Sequence, residues 1–446
     1  MQSTRIKEEQ RNLTKEQRQA VGLLSIGTFL EYFDLMLYVH MAVLLNELFF
    51  PKYEAFSAAI MTAFAFCSTF VFRPIGALIF GYIGDKAGRK TTVIITTTIM
   101  ALSCILMANV QTYAEIGIAA SIIVTVCRIL QGMSSVGEIV GAELYLTETI
   151  NPPIQYPIVS FIAVASVIGT TVALGVASLV TSFSLNWRIA FWMGATIALI
   201  GSVARTKLRE TPDFADAKRQ LEQTFENIKL DKDKLKNSLI WNEKVNKKTT
   251  LYLFIINCSW PVCFYFAYMH CGNILKSSFG YSSEQVIHHN FLLSIVHLVG
   301  LSFISYLSYK VYPLKIIKVK LIIFSIFILL SSYILDRITD PMYLFLLQSF
   351  IVLFAVDSVP AVSIFFRHFP VFKRYTYSSV IYALSRALMY VITSFGIIYL
   401  TEYFGHYGLL IVMVPISIGC FCGLRHFEKL EKEEGNYPNS LNESSG

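Results

Sequence analysis

Six ionisable residues stand inside stretches that are otherwise apolar enough for a lipid bilayer: Glu31, Asp34, Arg73, Arg128, His297 and Arg386. Charge in hydrocarbon is costly, so such residues either mark an ion or substrate path or pair with one another. Glu31 and Asp34 are three apart and share a helix face. They fall about 15 to 20 Å from the start of their apolar run at 1.5 Å per residue, near a bilayer midplane. Carboxyls at that depth could bind and release a proton as burial and a neighbouring cation trade against each other. They could equally form structural ion pairs with Arg73 or Arg128. The arginines, in turn, are forked donors suited to a substrate carboxylate or to the same ion pairs. Arg386 lies about ten residues into its apolar run, again near midplane, with Asp357 as its expected partner. His297 has the side chain that most readily titrates near neutral pH, although a lone histidine also serves as a packed, hydrogen-bonded core residue.

Helices crossing a membrane are the elements that must position these groups. Of 446 residues, 54% are hydrophobic and only 15% charged, where a soluble chain spends about a quarter on charge. The mean hydropathy is +0.56. The expected fold is all-α and polytopic, with about twelve spans of roughly 20 residues. They are expected near 21–50, 56–83, 91–110, 115–146, 154–182 and 187–203, then 249–275, 285–309, 316–335, 342–366, 376–401 and 405–424. A polar stretch, 205–248, divides them six and six, giving two bundles at 21–204 and 249–424, flanked by polar segments 1–20 and 425–446. Most of the 37 Lys and Arg fall in the termini and even-numbered loops, which places both termini in the cytoplasm. The net charge of +7 is thus topological rather than a nucleic-acid footprint. All eight cysteines lie in apolar stretches without a C-x-x-C or metal-type pairing and read as small core residues. No cleavable leader is expected ahead of so long a first apolar run.

Two stretches carry more detail. In span 4, Arg128, Gln131, Ser135 and Glu138 recur as one helical stripe, with Gly132, Gly137 and Gly141 permitting close helix approach. Glu138 lies nearer the cytoplasmic end, as a gate or packing residue. In span 7, Trp260, Tyr265 and Tyr268 could surround a quaternary ammonium or simply pack, as bilayer aromatics commonly do. His288 and His289 are expected to be solvated near the outer end of span 8.

The run from Arg73 ends in a glycine-punctuated cationic turn, G-x-x-x-D-x-x-G-R-K, formed by Gly81, Asp85, Gly88, Arg89 and Lys90. It resembles the loop between helices 2 and 3 of the major facilitator superfamily. Further stretches, in family order, resemble its metabolite:proton symporter family and especially the proline/betaine transporters. They are G-T-F-L-E-Y-F-D-L-M-L-Y (Gly27 to Tyr38), V-F-R-P-I-G (Val71 to Gly76) and R-I-L-Q-G-x-S-x-x-G-E (Arg128 to Glu138). N-W-R-I-A-F (Asn186 to Phe191), L-R-E-T-P-D-F (Leu208 to Phe214) and F-P-V-F-K-R-Y-T (Phe369 to Thr376) follow. The chain departs from the family in lacking Lys and Arg over 149–157, in a short tail without heptads, and in Arg386, where relatives more often carry a small residue. The loop at 309–320 holds lysines but no second copy of the signature.

The resemblance implies two six-helix bundles rocking about a midplane site, in a bacterial inner membrane. It implies symport of a small organic solute with a proton, no cofactor beyond that proton, no metal, and function as a monomer. Asp85 would latch the cytoplasmic side by meeting a cation or a helix N-terminus of the other half, or the turn would simply anchor at the lipid surface. The expected solute is a zwitterion such as proline or betaine. A di- or tricarboxylate such as 2-oxoglutarate is the alternative, since three buried arginines suit anions; a transporter-like sensor is a third. An enzyme is not expected without a nucleophile–base set or metal cluster, nor an ATP-driven pump without a G-x-x-x-x-G-K-[ST] loop.

Overall fold

The computed structural model describes residues 9–50, 69–183, 186–205 and 244–438. The expected start of span 2 and nearly all of the 205–248 segment lie outside the described residues. The helices are α1 (Lys15–Phe49), α2 (Arg73–Lys86), α3 (Arg89–Asn109), α4 (Ile118–Thr149), α5 (Gln155–Ser182) and α6 (Arg188–Arg205). Next come α7, which runs Lys247–Phe264, Tyr265–His270 and Cys271–Phe279, then α8 (Ser283–Lys310), α9 (Pro313–Leu335) and α10 (Pro341–Phe354). After a short helix, Val362–Arg367, α11 runs Val371–Val391, Ile392–Gly396 and Ile397–Phe404, and α12 is Gly408–Glu433. Described helices thus overlap every expected span, with span 10 interrupted. Seven of the described helices are both long and apolar enough to cross a bilayer.

A bilayer-spanning backbone must satisfy its own polar groups, and the helix ends show local devices for doing so. Asn246 opens α7 by accepting from Lys248 N at 2.9 Å. Ser282 and Gln285 form a capping box at the start of α8. Asp340 accepts from Met342 N at 2.7 Å, with Pro341 in the first turn of α10, where its missing N–H costs nothing. Inside α7, Pro261 precedes a π turn over Tyr265–His270. Carbonyls of that widened turn are capped from neighbouring helices: Gln348 Nε2 donates to Ala267 O at 2.6 Å and Asn290 Nδ2 to Tyr268 O at 3.4 Å.

Span 10 departs from expectation. It is not one helix from 342 to 366 but stops at Phe354 and resumes at Val362. Pro360 offers no N–H to a continuous helix, and Asp357 accepts from Val359 N at 3.0 Å. The irregular stretch is tolerated at membrane depth because protein covers it: Ala355, Val356, Val359 and Ala361 are all buried. Span 12 is longer than its hydropathy indicates, since the helix continues to Glu433.

Within the first bundle α1 packs on α5, α4 and α6, and within the second α7 packs on α11 and α12. The seam between bundles is made by α2 against α11 and α5 against α8. Small residues set its closeness. A Cβ on Gly84 would overlap the Tyr375 ring, and one on Gly141 would meet the Tyr375 hydroxyl, so Tyr375 of α11 sits in a cradle that only glycine leaves open.

Candidate functional site

A central cavity lies where the two bundles face each other, with about 90 Å³ of space open to the centres of water-sized molecules. The first bundle supplies Tyr32, Phe70, Arg73 and Glu143, with Ser166 and Thr170 on α5. The second supplies Trp260, Phe264, Tyr268, His297, Asp357, Tyr382, Arg386 and Tyr390. One polar and one aromatic contact join the halves directly across it. The hydroxyls of Tyr32 and Tyr382 are 2.7 Å apart, and the rings of Phe70 and Tyr390 have centroids 4.3 Å apart.

The basic groups are held by aromatic faces. The Arg386 guanidinium lies 3.3 Å from the Tyr382 ring centroid and that of Arg73 lies 4.7 Å from Phe70. Such stacking fixes a forked cation without consuming its N–H donors. Accordingly, Arg73 Nε and Nη2 and Arg386 Nη1 are buried without an acceptor among the described residues. His297 stacks on Trp260 with centroids 4.7 Å apart. The expected aromatic trio is realised with one change: Trp260 and Tyr268 reach the cavity, and Phe264 lines it where Tyr265 was expected.

Three expected site residues lie elsewhere. Arg128 is buried inside the first bundle, donating from Nη1 to Gln131 Oε1 at 3.0 Å and from Nη2 to Thr69 Oγ1 at 3.2 Å. It also caps the Tyr38 ring, 4.1 Å from the centroid, so it does not line the cavity. Asp34 sits in the field of Arg128 and against the Cys104 thiol. Glu31 faces α3 and α4, in a small recess shared with Thr96, Thr97 and Ser134. All three are at most 3% exposed and form a charged layer behind the cavity wall. The shared face of Glu31 and Asp34 is real, but it points into their own bundle; the neighbouring Tyr32 points at the other one. The side chain of Glu138 lies outside what the structure describes.

At the end where residues 9 and 438 lie, the halves are tied by a second polar set. Asp85, 7% exposed, accepts from Tyr375 N at 3.1 Å, Thr376 N at 2.8 Å and Thr376 Oγ1 at 2.6 Å, near the start of α11. Gly81 allows this approach, because a Cβ there would lie 2.8 Å from Thr376 Cα. Gly88 opens α3 at φ 107°, a conformation that favours glycine. Lys90 is half-buried, and the side chain of Arg89 lies outside the described set. Beside them Arg374 Nη1 donates to Glu148 Oε1 at 3.1 Å, a buried ion pair between bundles.

Further along the same end, the extension of α12 buries Glu431. It accepts from the Tyr312 hydroxyl, from His368 Nε2 at 2.8 Å and from Arg367 Nη2 at 3.4 Å. The Tyr312 phenol, in the turn between α8 and α9, is held above its usual range by burial first and then by the Glu431 charge. Tyr156 of α5 packs edge-on against Tyr312 from the other bundle.

Sequence reasoning passed over Tyr32, Glu143, Tyr382 and Tyr390. It also placed His289 in solvent, whereas His289 is buried and its Nε2 pairs with Gln348 Oε1 at 2.7 Å. The signal for that burial was available in Gln348, a polar residue in an apolar span that needed a partner.

Residues 24–394 match the family model of the Major Facilitator Superfamily. The chain is 28% identical over 293 residues to the proline/betaine transporter of Salmonella typhimurium strain LT2, covering 64% of this chain and 57% of that protein. The match therefore spans little more than half of that transporter's own length. Over 207 residues the chain is 34% identical to the inner membrane metabolite transport protein YhjE of Escherichia coli K12, covering 44% of this chain and 47% of YhjE. In structure it resembles the proton:xylose symporter XylE bound to 6-bromo-6-deoxy-D-glucose. The TM-score is 0.73 at 14% identity, with 95% of this chain and 96% of XylE covered.

Proposed function

Because the chain belongs to the Major Facilitator Superfamily, we propose that it is a carrier rather than an enzyme, a secondary active transporter of a small zwitterion of the proline or betaine kind. Proton entry drives the uptake. The observation that carries this reading is the cavity wall, on which two arginines and two carboxylates, Arg73, Arg386, Glu143 and Asp357, come from both bundles. A wall that offers both basic and acidic groups suits a solute that carries both signs of charge. The proline/betaine relatives support the same solute class. The dicarboxylate alternative loses ground because Arg128 lies behind the wall, leaving two cavity arginines balanced by two acids.

Transport proceeds as the bundles rock about the cavity, opening it to one side at a time. Asp85 and the Glu148–Arg374 pair close their end of the seam between bundles, which in this reading faces the cytoplasm of a bacterial inner membrane. In this reading Asp34, beside Arg128 and one helix turn from Glu31, carries the coupling proton out of contact with the solute. The working unit is the single chain. The test is uptake into proteoliposomes under an imposed pH gradient, comparing labelled proline, betaine and 2-oxoglutarate. Uptake of either zwitterion above that of 2-oxoglutarate is expected; preferential uptake of 2-oxoglutarate would overturn the reading.

A further inference from the structure

Glu143 has no counterpart in the ion pairs and latches above. It projects from α4 onto the cavity wall and is 5% exposed. Among the described residues its carboxylate receives no hydrogen bond, and the charged groups whose fields reach it are Arg386 and Asp357. Asp357 is better provided for. One of its oxygens accepts from Val359 N at 3.0 Å, and the buried Lys320 of α9 lies within its field. Arg386 is stacked on the Tyr382 ring at 3.3 Å, and its Nη1 meets no acceptor among the described residues. Glu143 is thus a buried cavity carboxylate with one cation in its field and no hydrogen-bond donor among the described residues. Keeping a carboxylate out of water without a full partner is costly, and a cationic group entering the cavity would complete it. Trp260, Phe264, Tyr268 and Tyr390 line the same cavity, and their ring faces attract an ammonium that has no N–H to donate. The unsatisfied donors of Arg73 and Arg386 await the opposite charge.

We propose that Glu143 is the specificity-determining residue of the cavity: it takes the ammonium end of a zwitterionic solute while Arg386 and Arg73 take its carboxylate, and it excludes solutes with a second negative charge. A second carboxylate in that position would face Glu143 in a medium that screens poorly. This rests on the transport reading above and adds a role for one residue.

The test compares betaine with 3,3-dimethylbutanoate, which keeps the carboxylate and the branched end but replaces the nitrogen by carbon and so removes the positive charge. Both compete against labelled betaine, in proteoliposomes for uptake and on the purified full chain for binding. The wild type should favour betaine by at least about tenfold. Glu143→Gln should bring the two within about threefold of each other, whereas Glu143→Asp should keep the preference and Asp357→Asn should narrow it less than Glu143→Gln does. The binding arm gives this ratio even for a variant that folds but no longer transports. Glu143→Asp covers a glutamine variant that fails to fold, because it must then keep the preference as the only charged substitute. Glu143→Gln retaining the wild-type ratio overturns the proposal, as does its losing only gradient-driven accumulation, which would make Glu143 a proton carrier. Loss of preference in Asp357→Asn equal to that in Glu143→Gln also overturns it. A wild type that binds neither compound removes the zwitterion reading itself, and Glu143's role with it.

Discussion

Replacing Asp85 by Asn isolates the latch. The aspartate accepts three hydrogen bonds from the start of α11, at 3.1, 2.8 and 2.6 Å. Asparagine has nearly the same shape but no charge, and one of its two terminal atoms is a donor that would face donors. Hydrogen bonds to a charged group contribute about 1.5–3 kcal/mol each, against about 0.5–1.5 for neutral ones. Losing one acceptor and weakening the others should therefore cost the closed form about 2–3 kcal/mol, after some relaxation of the α2–α11 contact. That corresponds to a shift of roughly 30- to 150-fold toward the form open at this end. Spin labels at Thr91 on α3 and Lys310 on α8, both exposed at this end, report the separation by pulsed electron resonance. In Asp85→Asn a longer-distance population should grow at the expense of the closed one. An unchanged distance distribution would refute the assignment of Asp85 as a conformational tie, whatever happens to transport.

Other perturbations separate the remaining parts. Gly84→Ala should open the same end by a different route, since its Cβ would overlap the Tyr375 ring; the same label pair should show the shift with Asp85 intact. Glu431→Gln leaves Arg367 facing a neutral amide in a buried cluster, and breaking such a pair costs about 3 kcal/mol. The detergent-solubilised protein should melt several degrees lower, and an unchanged melt would show that the cluster carries no net stability. Asp34→Asn should abolish accumulation driven by a pH gradient while sparing betaine exchange across the membrane; loss of both activities would place Asp34 in the solute site instead.

The sequence announces parts of this arrangement clearly and hides others for physical reasons. Asp85 is legible because its turn is spelled out by glycines and cations, and the surface it meets, Tyr375 and Thr376, lies in another recognisable stretch. Arg73 and Arg386 are legible as costly charges in apolar runs, and both reach the cavity. Arg128 looks the same in the sequence yet lies behind the wall, because helical periodicity gives a shared face without saying which neighbour that face meets. The stripe through Arg128, Gln131 and Ser135 turns inward, and Glu143, off that stripe, turns to the cavity. Tyr32 was overshadowed by the acids on either side of it. The interruption of span 10 was visible in Asp357 and Pro360, a polar residue and a helix breaker three apart in an apolar run. Burial of Glu431 was not visible, because it depends on a turn, a helix end and a helix extension converging from distant parts of the chain.

The most direct measurement is accumulation of labelled betaine in proteoliposomes holding only this protein, with the outside more acidic than the lumen. Concentration of betaine inside above the external level, collapsing when a protonophore is added, is the result expected of a cavity opened alternately and coupled to a proton. Betaine that merely equilibrates, at the same rate with or without the gradient, would contradict it.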